Sequence, residues 1–103
     1  MGTYKKQTDI KHIKEKLVSL LPTLKKQYKL KTLGLFGSYV RNEQKEGSDL
    51  DVLVSFYEKP SLFKYIELEN YLSDILHAKV DLVMKEALKA NIGRRILKEV
   101  VML

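Results

Sequence analysis

Cysteine is absent from the 103 residues, so disulfides and thiolate metal sites play no part in this chain, and a reducing cytoplasm suits it. Histidine is nearly as scarce: His12 and His77 have no second His or Cys as partner, and both read as surface residues rather than metal ligands. Apolar runs are short. None is long enough to span a bilayer, and Met-Gly-Thr-Tyr-Lys-Lys-Gln at the start lacks the apolar core of a secretory leader, so the expectation is a cytoplasmic protein with no membrane partner. Two phosphate-binding signatures are missing as well. Neither Gly34 nor Gly37 leads into the lysine of a P-loop, and no Gly-x-Gly-x-x-Gly occurs. Without repeats or low-complexity linkers, the chain reads as one domain over residues 1–103, with residues 1–8 a flexible N-terminal segment.

Lysine is what the chain has in excess. The net charge is +6, much of it from lysines scattered through the first third. Scattered lysines describe a solvated face, and no aromatic residues are interleaved with them as a base-stacking platform would require. Direct nucleic-acid binding is therefore not expected, although the charge can guide an anionic nucleotide or an acidic partner.

The apolar pattern gives an order α-β-β-α-β-α, a small sheet flanked by helices. Ile10, Ile13, Leu17, Leu20, Leu21 and Leu24 follow a helical rhythm from Asp9 to Tyr28, with a kink or restart expected at Pro22. Strands are expected at Thr32–Phe36, Leu50–Phe56 and Lys79–Met84. A helix opens at Pro60–Ser61 with Leu62, Phe63, Ile66, Leu68, Tyr71, Leu72, Ile75 and Leu76 as its apolar stripe, and another covers Ala87–Val100 with a possible break near Gly93.

The chemistry lies at strand ends. Gly37 and Ser38 close the first strand, and Asp49-Leu50-Asp51 opens the second. Side chains alternate along a strand, so Asp49 and Asp51 share a face roughly 6–7 Å apart. Asp81 interrupts an apolar strand, where a carboxylate is costly unless paired or bound to a cation. If the strands are neighbours, Asp49, Asp51 and Asp81 converge as an oxygen-only ligand set for two Mg²⁺ ions, or Mn²⁺, and Asp81 can accept a hydroxyl proton. Gly37 lets the backbone approach a phosphate, and Ser38 offers a hydroxyl and an amide at the start of a helical turn. Arg41, one turn on, is expected to reach the β- or γ-phosphate, while Ser48 bonds either the loop or a phosphate oxygen.

Taken together, Leu35-Phe36-Gly37-Ser38-Tyr39, Arg41, Glu43, Ser48-Asp49-Leu50-Asp51-Val52-Leu53-Val54 and Val80-Asp81-Leu82-Val83 resemble the DNA polymerase β nucleotidyltransferase superfamily. Within it, the chain is similar to the minimal nucleotidyltransferases, or MNT proteins, from the first helix onward. The resemblance implies a polymerase β-like α/β (α+β) fold with a mixed sheet, Mg²⁺ dependence, ATP as substrate and release of pyrophosphate. It further implies a HEPN-domain RNase toxin, encoded by a neighbouring gene, as partner. The MNT protein would be the antitoxin that places AMP on a tyrosine hydroxyl of that toxin. Gly37 and Ser38 match the phosphate-binding pair of the family, and Asp49, Asp51 and Asp81 its metal carboxylates. Asn42 stands where the family usually has glycine, and Ala90 where it often has proline. Two other readings stay open: an antitoxin that neutralises by binding alone, and a nucleotidyltransferase acting on RNA ends or a small molecule.

Overall fold

In the computed structural model, which describes residues 9–103, helix α1 spans Ile10–Tyr28. The expected flexible segment 1–8 lies outside the described residues. Asp9 caps α1 by accepting the Lys11 amide, and Ile13, Leu17, Leu24 and Tyr28 form its buried ridge. Pro22 neither breaks nor restarts the helix. It withholds a donor from the carbonyl of Val18, which lies on a half-exposed stretch where water can replace it.

Strand β1 spans Leu30–Phe36 and β2 Leu50–Phe56, paired antiparallel; helix α2 (Leu62–Leu76) then carries the chain back to β3 (Val80–Met84), which runs parallel to β2. A 3₁₀ turn at Lys85–Ala87 precedes α3 (Ala90–Glu99), and Val101–Met102 forms a short strand, β4, antiparallel to β1. The sheet order is β3-β2-β1-β4. The fold is α+β as expected, with β4 as an addition. The last helix starts three residues later than expected and runs through Gly93 unbroken; Gly93 is its buried residue, against Leu88.

Leu33, Leu35, Val52 and Val54 face the core formed with α1 and α2, together with Leu68 and Leu72. The helix stripe on α2 is narrower than the sequence suggested. Leu68, Leu72 and Leu76 are buried, but Leu62, Phe63 and Ile66 are exposed. Phe63 is nine residues from Leu72, half a turn round the helix, so both cannot face the sheet. Replacing the fully buried Leu72 by Ala is expected to cost about 2–5 kcal/mol, read as a lower urea midpoint at unchanged slope.

Side chains of α2 seal the outer edge of β3. Ser73 Oγ accepts the Val80 amide, Glu69 the Leu82 amide, and the Tyr65 hydroxyl donates to the Leu82 carbonyl at 2.7 Å. That edge is thereby closed to a further strand. Among the described residues no helix is long and apolar enough to cross a membrane.

Candidate active site

The strand register brings the predicted aspartates to one end of the sheet. Asp51 lies directly opposite Asp81 in the parallel β2–β3 ladder and opposite Phe36 in the β1–β2 ladder. Adjacent strands lie about 4.8 Å apart, so the Asp51–Asp81 pair is close by construction. Asp49 stands one residue before β2, where the Leu50 amide donates to the Lys79 carbonyl at 2.7 Å and fixes the entry of the strand. Helices α1 and α2 cover the opposite face of the sheet, leaving the aspartates on the side that α3 only partly shields.

Electrostatics register this gathering of charge. The Asp51 carboxyl is raised above its ordinary value, first by burial and then by the charges of Asp81 and Asp49. Tyr39, buried beside the turn, is raised by burial and by Asp49. Three carboxylates with no nitrogen or sulfur ligand suit a hard divalent cation, which would relieve their repulsion. Among the described residues no three His, Cys, Asp or Glu side chains already stand in metal-holding geometry. Joint coordination thus requires rotation of the carboxylates about their own χ angles.

Gly37 closes the arrangement. Its φ is +82°, and an added Cβ would lie 2.0 Å from Asp51 Oδ2. The glycine therefore serves two purposes, left-handed backbone and room for the carboxylate. Beyond it the chain turns helically, with the Val40 and Arg41 amides donating to the Gly37 carbonyl at 3.1 Å and the Glu43 amide to Ser38. Asn42 adopts φ +59°, a conformation asparagine tolerates, so the departure from the family's glycine is accommodated. Among the described residues the Ser38 and Tyr39 amides have no protein partner, which leaves them for an anion.

Arg41 and Ser48, the two further candidates for phosphate, have partners within the protein. Arg41 donates through Nε to Glu43 at 2.9 Å and through Nη1 to both oxygens of Glu99 at 3.0 and 3.1 Å. Ser48 Oγ accepts the Lys45 amide at 2.8 Å while the Ser48 amide donates back to the Lys45 carbonyl, closing the loop, the first of its two expected roles. Both residues shape the Gly37–Asp49 connection. Sequence reasoning gave Glu99 no role in the site, because it lies 62 positions from the Gly37 amide whose hydrogen bond it accepts. A cavity between α3 and the turn is lined by Phe36, Gly37, Arg41, Asp51, Ile96 and Glu99 among others.

Comparison with known proteins agrees with this geometry. The nucleotidyltransferase domain family matches residues 17–103. The protein adenylyltransferase MntA of Thermococcus cleftensis is 50% identical over 91 residues, covering 84% of this chain and 92% of that protein. A solved structure assigned as a minimal nucleotidyltransferase superposes with a TM-score of 0.79 at 29% identity, over 92% of this chain and 96% of the other. A mutant of the toxin–antitoxin complex MntA–HpeT contains a chain matched with a TM-score of 0.71 at 26% identity, over 87% of this chain and 70% of that one. With the family match running from within α1 to the last residue, the chain belongs to the nucleotidyltransferase domain family, as one of its minimal nucleotidyltransferases.

Proposed function

We propose that this chain transfers AMP from ATP to a hydroxyl group of a separate protein, and that the acceptor is a tyrosine of a HEPN-domain toxin for which the chain is the antitoxin. The observation that carries the reading is the Asp51–Asp81 register beside a glycine that leaves room for the Asp51 carboxylate. The named activity of the MntA relative and the toxin–antitoxin complex containing a similar chain support the choice of a protein acceptor.

Asp49, Asp51 and Asp81 would hold Mg²⁺, two ions in this reading, with Mn²⁺ as a substitute. Bound there, Mg²⁺ would neutralise triphosphate charge and polarise the α-phosphate. Ser38, with its own amide and that of Tyr39, receives the β- and γ-phosphates. The acceptor hydroxyl oxygen forms a bond to the α-phosphorus, the α–β phosphoanhydride bond breaks, and pyrophosphate leaves. The hydroxyl proton passes to Asp81, which is exposed and so accessible to an incoming protein. A cytoplasmic setting supplies both ATP and such a partner.

Incubating the neighbouring gene's product with this chain, ATP and Mg²⁺ is expected to add one or more AMP units, seen by intact-mass spectrometry. Asp49→Asn should eliminate the addition; an unchanged mass with the wild-type chain would count against the proposal. Neutralisation by contact alone is favoured by one feature, the exposed Leu62 and Phe63 at 70% and 85%. That reading expects an Asp49→Asn chain to neutralise its partner fully.

A further inference from the structure

Glu99 is the last residue of α3, and its carboxylate joins three parts of the site. It accepts the Gly37 amide at 2.7 Å and Arg41 Nη1 at 3.0 and 3.1 Å, with its side chain 29% exposed. Arg41 is held on its other flank by Glu43 at 2.9 Å. The Gly37 amide, foremost, and Arg41 keep the Glu99 carboxyl below the usual range. Glu99 is therefore ionised at neutral pH and is one of the charges that raise Asp51. A negative side chain here opposes a triphosphate by Coulomb repulsion, so its placement calls for a compensating role.

Two roles suit a carboxylate on these donors: a competitor that withdraws when phosphate arrives, or a strut that keeps the turn in shape. The surroundings favour the strut. Val101 and Met102, immediately after Glu99 and Val100, pair with Leu35 and Gly34 of β1. At Gly34 the strands meet so closely that an added Cβ would lie 2.7 Å from both Met102 Sδ and Val100 Cγ2. Glu99 thus projects from a junction anchored to the sheet, whereas a competitor needs freedom to leave. Its partners are also a main-chain amide and an arginine already bound elsewhere, which is how a turn is pinned.

We propose that Glu99 is a positioning residue of the nucleotide site: from the α3–β4 junction it braces the Gly37–Arg41 turn so that Ser38 and the Ser38 and Tyr39 amides are presented to the triphosphate. The proposal rests on the nucleotidyl-transfer reading of the same site. It also gives α3 a task that its shallow packing does not, since Gly93 is the one buried residue of that helix.

The test uses the full chain carrying Glu99→Ala or Glu99→Gln, with Mg²⁺-ATP affinity by calorimetry, AMP transfer kinetics and thermal melting. Glu99→Ala is expected to weaken ATP binding and raise KM for ATP about tenfold or more, with kcat changed less than threefold, as loss of preorganised donors predicts. Glu99→Gln keeps an acceptor for the Gly37 amide and is expected to recover most of the affinity. Tighter ATP binding by either variant would identify Glu99 as a competitor and overturn the proposal. So would wild-type affinity and KM in a folded Glu99→Ala chain, or losses matching the unfolded fraction with no recovery in Glu99→Gln. If the wild-type chain transfers no AMP, the functional reading fails, and ATP affinity alone then decides the role of Glu99.

Discussion

Asp51→Asn is expected to reduce AMP transfer about 10³-fold or more while leaving the fold as stable as before or more so. The loss follows from removing a charged oxygen from the proposed ligand set, where metal-assisted charge stabilisation is worth several kcal/mol, each ~1.4 kcal/mol being tenfold in rate. The stability effect has the opposite sign because Asp51 is held against like charges. Its carboxyl is raised by burial, Asp81 and Asp49, so the folded chain binds this proton more readily than the unfolded chain. Stability from this group therefore falls as pH rises through the window between the ordinary and raised values, and Asn removes that penalty. Urea unfolding at pH 7 and at pH 4–5 checks the sign: the advantage of Asp51→Asn should be present at the higher pH and shrink at the lower. Active sites commonly carry such a conflict between stability and function.

Gly37→Ala should be damaging in both respects. The φ of +82° costs a side chain about 1–2 kcal/mol, which in a domain of this size lowers the melting temperature on the order of 5–15 °C. The new methyl would also meet the Asp51 carboxylate, with Cγ at 3.0 Å and Cβ at 3.2 Å behind it. Asp51 must then leave its present position, and transfer is expected to fall about 10²-fold, as displacements near 1 Å do. Thermal melting with transfer kinetics below the lowered melting temperature separates the two effects.

The parts of this site that were legible in sequence are those governed by strand periodicity. Leu50, Val52 and Val54 alternate with Asp51, so one face had to be core and the other carry the carboxylate. The turn after Gly37 was legible because glycine and a polar stretch follow an apolar run. What escaped was tertiary. Strand β4 is two residues of an apolar stretch continuing from α3, and only pairing with β1 distinguishes it. The exposure of Leu62 and Phe63 is invisible to a pattern that counts apolar residues without knowing which side of α2 meets the sheet. The Arg41–Glu99 contact was not legible because the two residues are distant in sequence.

The most direct test of the central claim, that strand register assembles Asp49, Asp51 and Asp81 into a metal-dependent nucleotide site, is ATP binding by calorimetry with Mg²⁺ and with chelator. The account predicts binding that requires Mg²⁺ and is lost in a folded Asp49→Asn/Asp51→Asn chain. Equal affinity in chelator, or retained Mg²⁺-dependent binding by the double variant, would contradict it.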